Sequence, residues 1–145
     1  MTIHNSRRLN LVVPYLFPDL ENDMDKDDYY LQNNADGTGT QLIWKNTKIT
    51  KPTDQELANA KEAAMNSHWW KVLRLLRDKL LKKSDWSQGT DVPDALKASY
   101  VTYRNDLRNL PSTVSKPNFD TLNGQTIDEW IAHINTLMPS NPEGE

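Results

Sequence analysis

Between Thr53 and Gln88 the chain contains neither proline nor glycine. A helix of about thirty residues, roughly 45 Å long at 1.5 Å per residue, is therefore allowed there. Its start is marked: Thr53 and Glu56, just after Pro52, form a capping box in which hydroxyl and carboxylate each take a free backbone amide. Leu57, Ala60, Ala64, His68, Val72, Leu76 and Leu80 fall on one broad face, with Trp69 and Leu73 alongside. Ser84-Asp85-Trp86 interrupts the pattern, and Gly89 to Pro93 reads as a loop before a second helix that runs to Pro111. There Leu96, Tyr100, Tyr103, Leu107 and Leu110 are spaced four, three, four, three, one narrow apolar seam. Two helices joined by a short loop pack antiparallel, so residues 52–111 are expected to form a helical hairpin.

Around that hairpin the chain is modest. It has 145 residues, enough for one core, but only 37% are hydrophobic, so the core is expected to be thin. The net charge of -3 argues against a general nucleic-acid binder. Without cysteine there are no disulfides, thiolate chemistry or cysteine zinc sites. Arg7 and Arg8 precede a short apolar run, but Pro14 and Pro18 break it, so it is not a signal peptide. No stretch approaches the roughly 20 apolar residues of a membrane span. The expectation is a soluble, intracellular protein.

Residues 1–28 read as an extended, acidic arm. LNLVVPYLF (9–17) could be a short strand, with Pro14 demoting it to an edge or an extended segment. Six carboxylates then lie between Asp19 and Asp28. Asp23, Asp25 and Asp27 match the first spacings of a calcium loop, but Asp28 stands where glycine is needed and Asn34 where a bidentate glutamate is needed. A solvated linker is the better reading. Residues 29–48 form a β-hairpin, with strands Tyr29–Asn33 and Thr40–Trp44 around an Asp36-Gly37 turn. Such a hairpin is marginal alone and must pack on the helices, pair with the N-terminal segment or pair with another chain. After a polar linker (112–125), Thr126 and Glu129 open a helix over 126–138, striped with Ile127, Trp130, Ile131, Ile134, Leu137 and Met138, which either packs or faces a partner. Residues 139–145 read as a disordered tail. The fold class is α+β and mostly helical: a small N-terminal β-hairpin, a helical hairpin and an added C-terminal helix.

Adjacent helical residues point about 100° apart, so Trp69 and Trp70 cannot both enter one narrow core. One is expected at the core edge and the other partly exposed, as a binding surface or packed under the β-hairpin. Lys71, Arg74, Lys79, Lys82 and Lys83 read as a solvated basic face. No catalytic constellation assembles. His4, His68 and His133 show no ligand spacing, no nucleophile motif is present, and the scattered glycines make no phosphate cradle. Asp78 and Asp85 opposite Arg104 and Arg108 read as structural ion pairs. No enzyme activity, cofactor or metal is expected.

Arg77, Leu80-Leu81, Ser84-Asp85-Trp86, Asp91-Val92-Pro93, Tyr103-Arg104, Leu107-Arg108 and Pro111 together resemble the signature of the phage tail assembly chaperone family. In that family an R-D-x-L-L-x-x-[ST]-D-W-[ST]-Q segment precedes a D-x-P loop and a helix with W-x-x-Y-R-x-x-L-R. The resemblance is dense over 77–111. Tyr100 stands where a tryptophan is expected, which keeps an aromatic on the seam. Looser agreement reaches upstream to Trp44 and Pro52-Thr53.

The resemblance implies a non-catalytic protein of the infected bacterium's cytoplasm that binds a phage tail or tail-fibre protein during virion morphogenesis, with no nucleic acid or membrane partner. The alternative is a structural baseplate or fibre-joint protein retained in the virion tail. Contact through the hairpin edge, or through Trp44, Trp69 and Trp70, fits either, and a homo-oligomer is open. Arg77, Asp85, Trp86, Tyr100, Tyr103, Arg104 and Arg108 are expected to be architecture. Ser84 would cap a turn, Trp86 would plug the open end of the hairpin, and Arg104 and Arg108 would clamp the Asp-bearing loop.

Overall fold

The computed structural model describes residues 7–144. His4, the rest of the first six residues and Glu145 lie outside them. The chain divides into two compact units, Met1–His68 and Trp69–Glu145.

The first unit opens with a correction. Residues 9–17 begin with a helix, α1 (Leu9–Leu16), in place of an edge strand or extended arm. Leu9, Val12 and Val13, spaced i, i+3, i+4, are fully buried, and this helical period fits the run as well as a strand does. Arg8, in the left-handed region at φ 52°, accepts from the amides of Leu11 and Val12 at 2.9 and 2.8 Å. Pro14 offers no amide to the turn before it, and the helix stops two residues later. The strands β1 (Tyr29–Asn33) and β2 (Thr40–Trp44) pair antiparallel with Tyr29 opposite Trp44 and Asn33 opposite Thr40. Between them Gly37 and Gly39 supply the positive φ the turn needs.

The acidic stretch is tied to this hairpin. Asn22 bridges to Tyr29, and the Asp23 amide donates to the Tyr29 carbonyl at 2.9 Å. The Asp28 carboxylate accepts from the Glu21 amide at 2.8 Å and from Asn46 Nδ2 at 2.9 Å. Those donors favour the ionised form and hold its pKa below the ordinary aspartate value.

The long helix α2 (Asp54–Lys83) starts at the expected box. The Glu56 amide donates to Thr53 Oγ1 at 3.1 Å and the Thr53 amide to Glu56 Oε1 at 3.3 Å. Leu57, Ala64, Trp69, Val72 and Leu73 of the expected face are buried, together with Met65, while Ala60, His68, Leu76 and Leu80 are half-buried. Lys71, Arg74, Lys79, Lys82 and Lys83 are all exposed.

In the second unit, α2 gives way to a 3₁₀ turn (Asp85–Gln88) and then α3 (Asp94–Thr113). Tyr100, Tyr103, Leu107 and Leu110 of the seam are buried and Leu96 is half-buried. Leu80, Leu81, Leu96 and Met138 pack against Tyr100, Tyr103 and Leu107. α3 continues past Pro111, where it was expected to end, and the Val114 amide still reaches the Leu110 carbonyl at 3.0 Å. The segment expected as an irregular linker contains α4 (Phe119–Asn123), capped by Asn118, whose side chain accepts from the Asp120 amide at 2.8 Å. The capping box of Thr126 and Glu129 opens α5 (Ile127–Leu137). That helix packs: Trp130 and Ile134 are fully buried, and Trp130 Nε1 donates to the Leu122 carbonyl at 3.2 Å.

Two measurements check this account. Because Asp28 has a depressed folded pKa, its contribution is complete above the ordinary aspartate value and is lost as pH falls through the folded value. Below about pH 4, the Glu21 amide and Asn46 side-chain NMR signals should shift in the native protein, and in Asp28→Asn they should not. Trp130→Ala should cost about 3–5 kcal/mol in chemical denaturation, as expected for a large ring lost from a closed site.

Candidate partner-binding site

The expected tryptophans separate by role. Trp44 is half-buried and locally committed. Its ring lies 5.4 Å from Phe17 and 6.1 Å from Tyr29, and its Nε1 donates to the Ile49 carbonyl at 2.8 Å. Trp69 is buried, whereas Trp70 is half-buried with its ring edge-on to Trp69 at 4.9 Å. The Arg74 guanidinium sits 6.0 Å from the Trp70 ring centre, a cation–π arrangement that covers part of its face. Trp44 lies in the first unit and the Trp69–Trp70 pair in the second.

Of the signature residues, Ser84, Asp85 and Arg104 meet where α2 ends. The last four carbonyls of any α-helix lack intrahelical partners, and that terminus carries partial negative charge. Here Arg104, only 8% exposed, meets both needs. Its Nη1 donates to the Leu81 carbonyl at 2.6 Å and to Ser84 Oγ at 2.8 Å, and its Nη2 donates to Asp85 Oδ1 at 2.9 Å. Ser84 does not cap the following turn as expected. Its hydroxyl bonds back to the Leu80 carbonyl at 2.9 Å, closing the helix it follows. Ser87, fully buried, donates from its hydroxyl to the Ser84 carbonyl at 2.6 Å.

Three further expectations are corrected. Arg108 does not clamp the loop: it is exposed and donates to Asn105 Oδ1, one turn back on its own helix, at 3.3 Å. Asp78 pairs with neighbouring Arg77 at 2.8 Å and faces neither arginine of α3. Trp86 does not plug the hairpin: it is 51% exposed. Its ring stands edge-on to Tyr100 at 5.1 Å, and Tyr100 meets Tyr103 at 5.9 Å in the same manner. Burial raises the pKa of the Tyr103 phenol, so it stays protonated at neutral pH.

Beside Trp86 lies a cavity of about 250 Å³ walled by Leu80, Lys83, Ser84, Trp86, Tyr100 and Tyr103. Its remaining wall comes from the C-terminal segment, expected to be disordered. Tyr100 Oη donates to Glu143 Oε1 at 2.7 Å and lies 3.2 Å from Asn141 Oδ1. Sequence reasoning missed Lys83, Asn141 and Glu143 as a group. No periodicity links positions forty residues apart, and a polar tail after Pro139 carries no packing signal.

The energetic order of the signature pair follows from exposure. The side chain of Asp85 is 65% exposed and that of Arg104 only 9%. Arg104→Leu should cost about 2–3 kcal/mol because it strips charged hydrogen bonds from buried acceptors. Asp85→Ala should cost less than about 1 kcal/mol, since solvent screens that half of the pair. Arg104→Lys should recover little, because one ammonium cannot reach all three acceptors. Urea denaturation of the three variants measures the series.

Residues 70–134 match the family described as phage tail assembly chaperone protein, just under half of the chain. The match extends beyond the 77–111 signature, over α4 and most of α5. No curated protein and no solved structure matches the chain. The match supports a role in phage tail assembly, and a chaperone in such a process binds a tail protein. The part of the chain that ends α2 on Arg104, leaves Trp86 at the surface and continues into α5 is therefore the segment that is similar to the phage tail assembly chaperone family.

Proposed function

We propose that the chain is a non-catalytic assembly chaperone that binds a tail or tail-fibre protein during virion morphogenesis and covers an association-prone surface until that protein is built in. The observation that carries the reading is the position of Trp86. It lies within the family segment, yet its ring is half exposed beside a cavity, although neighbouring Ser84 and Ser87 are buried. An exposed tryptophan held edge-on by a buried tyrosine is a ready interface anchor, with large apolar area and little rotamer freedom to lose. Trp70, with Arg74 over its ring, offers a second aromatic contact on α2. The hairpin strands are paired only with each other and with the Asn22 bridge among the described residues, so strand addition is the competing mode of contact.

Quantitative mass spectrometry of purified particles beside the infected-cell lysate tests the reading. Abundance in the lysate with depletion from particles is the expected result. A fixed copy number per particle would instead make the protein a retained tail component. Trp86→Ala separates contact from architecture: it should lower stability by only about 1–2 kcal/mol, because half of the ring is already in water, while reducing the yield of complete particles about tenfold or more, as for loss of an interface anchor. Unchanged yield would remove Trp86 from the contact surface.

A further inference from the structure

We propose that the groove formed by the end of α2, the 3₁₀ turn and the first turns of α3 docks an extended, acidic peptide segment of the partner, and that residues 139–144 occupy the same groove in the free protein as a displaceable strap. The proposal rests on the functional reading above only for the natural source of that segment.

Four observations converge on it. The groove has the mixed lining of a peptide site: an apolar wall of Leu80, Trp86 and Tyr103, and polar groups from Ser84 and Tyr100. Setting the C-terminal residues aside, Lys83 is the one charged group lining it among the described residues. A carboxylate is the complementary occupant, and the chain already places one there, with Glu143 accepting from Tyr100 Oη at 2.7 Å.

The strap is also built to present that carboxylate. The Glu143 amide donates to Asn141 Oδ1 at 2.8 Å and the Gly144 amide to the Asn141 carbonyl at 2.9 Å, a turn that holds the glutamate over the phenol. Its outer end is lightly held, since Pro142 and Glu143 are exposed and the Asn141 and Glu143 side chains meet the groove at the same tyrosine hydroxyl. Lastly, the groove residues Leu80 to Tyr103 fall within the family segment, which ends at 134, and the strap falls outside it. The receptor surface and its internal occupant are thus separable parts of the chain.

Peptide titration followed by ¹⁵N NMR tests this directly. The probes are the acetylated peptide PSNPEGE, which repeats residues 139–145, and its carboxylate-free analogue PSNPQGQ, acetylated and C-terminally amidated. Added to the chain lacking residues 139–145, PSNPEGE should shift the Trp86 indole and the Ser84 and Tyr100 amides saturably, and the analogue should bind at least about fivefold more weakly. The full chain should bind PSNPEGE at least about fivefold more weakly than the shortened one, because its own strap competes. Should the deletion impair folding, Glu143→Lys in the full chain opens the groove by a single exposed substitution and should show the same gain. Equal binding of the two peptides, shifts confined to other surfaces, or equal affinity with and without the strap would overturn the proposal. None of these readouts depends on particle composition. A groove that fails here leaves the chaperone reading to its own test, and a groove that succeeds survives even if the protein stays in the virion.

Discussion

The C-terminus of α2 needs a cation, and the second unit is arranged around supplying one. A thirty-residue helix ends with unpartnered carbonyls and the negative pole of its dipole, just where the chain must turn back. Arg104 reaches that end from α3 and bonds at once to a helix carbonyl, the hydroxyl that closes the helix and the carboxylate of the turn. One guanidinium thereby ties together three successive elements. A planar fork of donors can do this where a single ammonium cannot. The aromatic seam of Tyr100, Tyr103 and Leu107 lies on the same helix and packs with Leu80 and Leu81, so burial and capping pull in one direction.

The turn then determines what the surface looks like. A 3₁₀ turn has three residues per repeat, which puts Ser84 and Ser87 on one face. Both are buried and hydrogen-bonded there, and Asp85 and Trp86 consequently point outward. Asp85 is recovered by Arg104, and Trp86 is left against Tyr100 with half its ring in water. A residue that resembles core by composition becomes surface by turn geometry. This connects the architecture to the proposed binding, because the interaction that closes the helix also leaves the Trp86 ring at the surface.

The rest of the chain shows where local rules hold and where packing overrides them. Both capping boxes form as written, because their donors and acceptors lie within four residues of each other. The strands Tyr29–Asn33 and Thr40–Trp44 likewise follow from local alternation around a glycine-rich turn. Around prolines the rules were weaker. Pro14 sits inside α1 and Pro111 inside α3, each close enough to a helix end that few backbone bonds are affected. Burial of Leu9, Val12 and Val13 outweighs the missing amide in α1. The Asn118 cap of α4 was present in the sequence as an N-cap residue type, but a five-residue helix has too short a pattern to stand out.

The sequence by itself determined the helix from Asp54, the seam of α3, the capped start of α5, the mostly helical α+β class and the family signature, since each depends on short-range periodicity or on residue types at fixed spacing. Only the tertiary structure decided which signature residues face solvent and which hold the fold. Arg104 and Arg108 are equivalent in the sequence, four apart on one helix, yet one is buried on the end of α2 and the other is exposed. The contact of Tyr100 with Glu143 likewise joins residues forty-three apart, a distance at which no local pattern operates. Side-chain orientation at a turn and the return of a terminus onto a groove are set by competition among distant packing partners, and a one-dimensional spacing carries no record of that competition.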